Sequence, residues 1–178
     1  MSSMKINARK IVLMGLDNSG KTSIVLSLKG IKNLPAFSAI SPTKNHQISK
    51  FNLLDTEFRI WDFAGQEQYR KDHLQTFREN LKKTDKFIFV LDIQDVARHD
   101  LALDYLSKVS QLLIEHNIKV DFSIFLHKYD PDLGITNPEI TEDKIEEIIK
   151  KINMIMNEKL EYDMFKTTIY ATFQKLKI

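Results

Sequence analysis

The chain has 178 residues, of which 43% are hydrophobic and 28% charged, and a net charge of +2. These values predict a single globular domain over residues 1–178 with one sizeable core, and they give no reason to expect nucleic acid or a membrane surface as a partner. Without cysteine there is no disulfide framework or thiolate chemistry. No apolar run approaches the ~18 residues of a membrane span, Met1-Ser2-Ser3-Met4-Lys5 lacks a signal-peptide pattern, and Ser2 stands where myristoylation needs glycine, so a cytoplasmic protein with no intrinsic membrane anchor is expected.

The first apolar run, residues 9–14, reads as a buried strand. Gly15-Leu16-Asp17-Asn18-Ser19-Gly20-Lys21-Thr22 follows it and fits the phosphate-binding pattern G-x-x-x-x-G-K-[ST] in full. A short amphipathic helix over 21–29, beginning Lys21-Thr22-Ser23 and ended by Gly30, completes the unit. Gly15 and Gly20 let successive backbone N–H groups turn inward on phosphate oxygens, and the helix dipole adds positive potential at the same place. Lys21 is then placed to reach the β- and γ-phosphates, and the Thr22 hydroxyl to bind Mg²⁺. A helix cap beside a surface lysine accounts for Ser19 or Thr22, but not for the glycines, lysine and strand together.

Residues 30–45 show no clear periodicity, and a long irregular segment beside a phosphate site reads as a mobile functional loop. Within Ser41-Pro42-Thr43, Thr43 can offer its hydroxyl to Mg²⁺ and its N–H to a γ-phosphate, although a surface Ser-Pro-Thr turn looks the same. Runs over 46–54 and 57–63, joined at Asp55-Thr56, read as a hairpin with one antiparallel edge strand. Alternation is expected to put Phe51 and Trp61 on one face, towards the core.

Asp62-Phe63-Ala64-Gly65-Gln66 closes that hairpin. Asp62 at a strand end can hold Mg²⁺ through a water, Gly65 can present its N–H to a γ-phosphate, and Gln66 can orient an attacking water. A turn carrying an aspartate and a glycine is the plainer alternative. Helix 67–82 follows, with Arg70 and Arg78 expected as solvated surface charges. No arginine near the phosphate loop stands out. Strand 86–91, helix 99–117 and strand 120–126 come next.

After that strand, His127-Lys128-Tyr129-Asp130 offers a carboxylate that can accept from the ring N–H and exocyclic amine of guanine. Adenine lacks that donor pair, so a mismatch leaves a charge unpaired. Lys128 can lay its stem along the base. An ordinary strand-to-loop turn is the alternative. Asn137-Pro138 suggests a helix start, with the helix over 140–160. A last strand over 165–170 ends in Thr167-Thr168-Ile169-Tyr170, where the Ile169 N–H can meet the guanine O6. Alternating strands and helices predict an α/β fold: a six-stranded, mostly parallel sheet with one antiparallel edge strand and helices on both faces.

In order and spacing these motifs resemble those of the small Ras-like GTPases, over nearly the whole chain. Gly15-Leu16-Asp17 is similar to the loop of Arf-like members. Ile60-Trp61-Asp62-Phe63-Ala64-Gly65-Gln66, Phe87-Ile88-Phe89-Val90-Leu91-Asp92, His127-Lys128-Tyr129-Asp130 and Thr167-Thr168-Ile169-Tyr170 resemble the Rag/Gtr GTPases. The resemblance implies a P-loop NTPase G domain that binds GTP and GDP with Mg²⁺ (Thr22, Thr43 and, through a water, Asp62). It also implies nucleotide contacts from Gly15, Asp17, Asn18, Ser19, Gly20, Lys21, Thr22, Ser23, Thr43, Gly65, His127, Lys128, Asp130, Thr168 and Ile169. Gln66 and Lys21 would serve slow hydrolysis, in a molecular switch.

The resemblance also implies effector, exchange and activating proteins docking on residues 33–45 and 64–80, and dimerisation with a related GTPase. Two departures stand out. His127 replaces the asparagine that ties the base loop to the phosphate loop in most relatives, and the eight residues after Tyr170 cannot hold the roadblock-type domain through which Rag/Gtr proteins pair. A P-loop phosphotransferase would need a lid or acceptor insertion, and none is visible. A non-catalytic scaffold that binds nucleotide constitutively is the alternative function.

Overall fold

A computed structural model describes residues 7–31, 34–156 and 160–169. Expectations on Met1–Lys5, on Tyr170 and the tail to Ile178, and on the 32–33 and 157–159 portions of the first loop and last helix lie outside the described residues. Six strands form one sheet in the order β2-β3-β1-β4-β5-β6. They are β1 (Asn7–Met14), β2 (His46–Leu53), β3 (Thr56–Phe63), β4 (Lys86–Asp92), β5 (Asp121–His127) and β6 (Asp163–Lys166). Only β2–β3 is antiparallel. The parallel strands require crossovers, and these are supplied by α1 (Lys21–Leu28), α3 (Glu67–Gln75) with α4 (Phe77–Asn80), α5 (His99–Glu115) and α7 (Glu142–Met156). Short helices α2 (Leu34–Ser38) and α6 (Leu133–Thr136) complete the order. The fold is thus the predicted mixed sheet.

Side chains alternate along β1 and β4, so each strand feeds both faces. Val12, Met14, Phe87, Phe89 and Leu91 join the larger core cluster with α4, α5 and α7, through Phe77, Leu106, Val109, Ile148 and Ile152. Leu13, Ile88 and Val90 join the smaller one with Ile24 and Val25 of α1. Val12, Leu13, Phe87, Phe89 and Val90 are wholly buried, as strands covered on both faces should be.

Several boundaries differ from the sequence reading. The hairpin turns at Leu54-Asp55, because Leu53 pairs with Thr56, and Leu54 takes a left-handed φ of 53°. That register sets Phe51 opposite Phe58. Trp61 lies an odd number of residues from Phe58, so Phe51 packs on the α1-side cluster and Trp61 on the other. They do not share a face. The helix expected over 67–82 breaks at Thr76, whose hydroxyl bonds back to the Asp72 carbonyl at 2.9 Å and accepts from Asn80 Nδ2 at 2.9 Å. The last long helix starts at Glu142, not at Asn137-Pro138: the Lys144 N–H donates to Thr141 Oγ1 at 3.3 Å, so threonine is the cap. β6 begins at Asp163 rather than 165, and Thr167 extends its pairing through bonds to Leu126 and Tyr129.

Candidate functional site

The carboxyl ends of β1, β3, β4 and β5 gather on one edge of the sheet, where open α/β sheets place their ligands. The loop 15–20 leaves β1 with Gly15 at φ 150°, Asn18 at 59° and Gly20 at 91°. A Cβ on Gly15 would stand 2.2 Å from the Val90 carbonyl oxygen of β4. Glycine is therefore required there for close approach, and the loop can lie flat across the strand tips. Gly20 is the residue before α1, and the Ile24 N–H donates to its carbonyl at 3.0 Å. Lys21 is buried, and its ammonium donates to the carbonyls of Gly15 (3.1 Å) and Leu16 (2.6 Å) and to Ser19 Oγ (3.3 Å). Burial lowers its pKa to about 8 against the opposing pull of Asp62 and Asp17.

Three oxygen-bearing side chains meet beside this loop. The Thr22 hydroxyl donates to Asp62 Oδ2 at 2.6 Å, Thr43 Oγ1 lies 3.3 Å from Thr22 Oγ1, and it reaches Asp62 Oδ2 at 3.5 Å. Asp62 is buried, burial raises its pKa, and its second oxygen, Oδ1, has no hydrogen-bond partner. An orphaned carboxylate oxygen among two hydroxyls is a hard-oxygen donor set of the kind Mg²⁺ takes with one or two carboxylates. The residues present fit that ion. Among the described residues no group of three or more His, Cys, Asp or Glu gathers elsewhere to hold a metal.

A cavity of about 350 Å³ opens over the loop and is lined by Asp17, Asn18, Gly20, Lys21, Thr22 and Ser23, by Ile40 to Thr43, and by Phe63 to Gln66. Gly65 packs so closely that a Cβ there would lie 2.0 Å from the Asp17 nitrogen. Gln66 caps α3 in extended geometry, with φ −66° and ψ 147°. The phosphate-loop residues, Thr43, Asp62, Gly65 and Gln66 are therefore brought together.

The base-reading candidates form a second group at the tips of β5 and β6. His127 is buried and joins the two groups. Its Nδ1 lies 2.9 Å from Thr167 Oγ1, while a Cβ on Gly20 would stand 2.7 Å from its Nε2. It thus meets the phosphate loop by packing, and its side-chain hydrogen bond goes to Thr167, just past β6. Burial depresses its pKa, so the ring is neutral at pH 7. The Lys128 ammonium pairs with Asp92 Oδ2 at 2.7 Å. Asp130 accepts from Thr168 Oγ1 through Oδ1, and Ile169 follows with its side chain exposed.

Three residues that sequence reasoning passed over or misread lie close by. Arg70 is buried, not a solvated charge: Nη1 donates to the Gly65 carbonyl at 2.6 Å and the guanidinium sits over the Tyr105 ring. Arg98 donates to Asp17 Oδ1 (3.0 Å) and to the Asp17 carbonyl (3.2 Å), so an arginine does stand against the phosphate loop. Gln94 binds Asp130. Arg78 is exposed as expected. No local pattern marks these contacts; those of Arg98 and Gln94 join residues distant in sequence, while Arg70 turns back on its own segment to Gly65.

A glycine-lined anion cradle, a lysine and a hydroxyl–carboxylate cluster at the strand tips of a mixed six-stranded sheet define a P-loop GTPase domain. A family model for the Gtr1/RagA G protein conserved region matches residues 10–173, and the chain belongs to that family of small Ras-like, GTP-binding proteins. It is also similar to ADP-ribosylation factor-like protein 2 of Dictyostelium discoideum, at 32% identity over 134 residues, 75% of this chain and 67% of that one. Similarity extends to ADP-ribosylation factor-like protein 6 of Caenorhabditis elegans, at 33% identity over 131 residues, 74% of this chain and 66% of that one. The fold matches the Arl6 BBS3 small GTPase from Trypanosoma brucei, solved with the nucleotide analogue GppNp, with TM-score 0.66, 22% identity, and coverage of 91% of this chain and 87% of that one. Among the described residues no helix is long and apolar enough to cross a membrane.

Proposed function

We propose that this protein hydrolyses GTP slowly to GDP and phosphate and acts as a nucleotide-dependent switch. The observation that carries this reading is the single cavity in which Lys21 and Thr22 of the phosphate loop face Thr43 from one connecting segment and Gly65 and Gln66 from another. Contacts made to a γ-phosphate by Thr43 and Gly65 would exist only with the triphosphate, so both segments would respond to its loss.

In this mechanism the N–H groups of the loop from Asp17 to Ser23 and the Lys21 ammonium bind the phosphates and stabilise charge on their oxygens. Thr22, Thr43 and Asp62, the last through a water, would hold Mg²⁺. When bound, that ion neutralises charge that builds between the β- and γ-phosphoryl groups. Gln66 orients the attacking water in line with the bond to be broken. Asp130, with Lys128, His127, Thr168 and the Ile169 N–H around it, reads the guanine. Residues 33–45 and 64–80 are the surfaces for effector, exchange and activating proteins, and dimerisation with a related GTPase is a further expected interaction.

Single-turnover hydrolysis of loaded GTP tests the reading. The rate expected is on the order of 10⁻³ s⁻¹ or below, as for unassisted GTPases, and Gln66→Leu is expected to abolish it while leaving GTP bound. Unchanged hydrolysis in that variant removes the role given to Gln66. An undetectable rate in the natural protein, with nucleotide retained, favours the constitutively loaded scaffold.

A further inference from the structure

The Asp130 carboxylate is gripped from both sides. Gln94, in the turn after β4, donates from its side-chain amide to Asp130 Oδ2 at 2.8 Å and to the Lys128 carbonyl at 2.8 Å. The Thr168 hydroxyl donates to Asp130 Oδ1. The orientation of the Gln94 amide follows from its surroundings. Both atoms facing its nitrogen are acceptors, and Asn137 Nδ2 lies 3.4 Å from its oxygen, so a flipped amide would lose all three contacts. Gln94 is itself held in place. Its backbone N–H donates to Asp92 Oδ1 at 2.9 Å, and Asp92 Oδ2 pairs with the Lys128 ammonium at 2.7 Å. Lys128 needs that support, since it sits at a left-handed φ of 62°.

An ionised carboxylate offers about four acceptor sites, two on each oxygen. Gln94 takes one on Oδ2 and Thr168 takes one on Oδ1, which leaves one on each oxygen and fixes the carboxylate plane. We propose that Gln94 is a specificity-determining residue, which locks Asp130 as a two-pronged acceptor for a base bearing two adjacent N–H donors. This inference rests on Asp130 being the base-reading residue. Guanine carries such a pair, at its ring nitrogen and its exocyclic amine. Hypoxanthine keeps the ring N–H but lacks the amine, xanthine sets a carbonyl in its place, and adenine presents a bare ring nitrogen. One N–H donor can follow a carboxylate that has swung about its Cβ–Cγ bond. Two donors on a rigid ring cannot.

The test is equilibrium binding of GDP and IDP to the natural protein, Gln94→Ala, Gln94→Met and Asp130→Ala. Methionine keeps the volume of glutamine without its N–H donors. The two Gln94 variants are expected to lose about tenfold of the preference for GDP over IDP, the size of one hydrogen bond to a charged acceptor, with IDP binding nearly unchanged. Equal weakening of both ligands, loss of both, or an unaltered preference would overturn the proposal, since a merely structural role moves GDP and IDP together. Asp130→Ala is expected to erase the preference. If it keeps the natural ratio, the base assignment itself fails, whatever the Gln94 variants do.

Discussion

Replacing Gly65 with alanine puts a methyl group where the backbone of the phosphate loop already stands. The added Cβ would lie 2.0 Å from the Asp17 nitrogen, 2.1 Å from the Leu16 carbonyl carbon and 2.5 Å from its oxygen. Carbon contacts settle near 3.5 Å, so the two backbones must separate by more than about 1 Å. No flexible side chain can absorb that shift, because all three atoms are main chain. Overpacking of this kind costs about 1–3 kcal/mol. For a chain this long each kcal/mol lowers Tm by about 2–4 °C, so a fall of about 2–12 °C is expected in the nucleotide-free protein. The displaced segment carries Gln66, and a misplacement of about 1 Å can cost on the order of 100-fold in rate. GDP affinity should fall as well, because the Leu16 carbonyl that the added Cβ meets accepts from the Lys21 ammonium at 2.6 Å. Thermal unfolding and single-turnover hydrolysis read the two effects, with Gly134→Ala as control, since nothing lies within 4 Å of a Cβ there. A Gly65→Ala variant with unchanged Tm and rate would refute the steric reasoning.

Asp62 combines burial, a raised pKa and an orphaned oxygen, so Asp62→Asn is expected to raise Tm in the nucleotide-free, metal-free protein and to remove the Mg²⁺ dependence of GDP affinity. Retained Mg²⁺ dependence in that variant would place the ion elsewhere. His73 is buried against Phe63 with Nε2 3.1 Å from Asn45 Oδ1, and burial lowers its pKa from 6.5 to about 4. The unfolded chain then takes up a proton that the folded one refuses, so this residue's contribution is whole above pH 6.5 and declines as the pH falls towards about 4. Urea unfolding across that window should show the decline, and His73→Phe should flatten it. An equal slope in both proteins assigns the decline to other groups.

The phosphate loop was legible because its chemistry is local: glycines for the turn, lysine and threonine at a helix start, an apolar strand before. Asp62, Gly65 and Gln66 were legible for the same reason, as a strand end with a fixed spacing. The boundaries that moved did so where local signals compete. Asn137-Pro138 resembles a helix start as closely as Thr141-Glu142 does, and α2 spans too few residues, Leu34–Ser38, to show a period. Phe51 and Trp61 were assigned to one face by a miscount of the alternation: a two-residue turn, whether at Asp55-Thr56 or at Leu54-Asp55 where it falls, sets them on opposite faces. Arg70, Arg98 and Gln94 were hidden for another reason. Arg98 and Gln94 reach partners through the fold, over 81 residues to Asp17 and 36 to Asp130, and Arg70 bonds the nearby Gly65 carbonyl only because the fold sets it over the Tyr105 ring. A charged residue on a helix pattern does not announce whether its head group turns inward to a carbonyl.

Titration of nucleotide-stripped protein with GDP and with ADP, each with Mg²⁺ and with chelator, bears most directly on the strand-tip site. Stoichiometric GDP binding is expected, strengthened by Mg²⁺ and preferred to ADP by several orders of magnitude. ADP binding as tight as GDP, or no binding of either at millimolar concentration, would contradict the assignment of Lys21, Thr22, Asp62 and Asp130 to a guanine-nucleotide site.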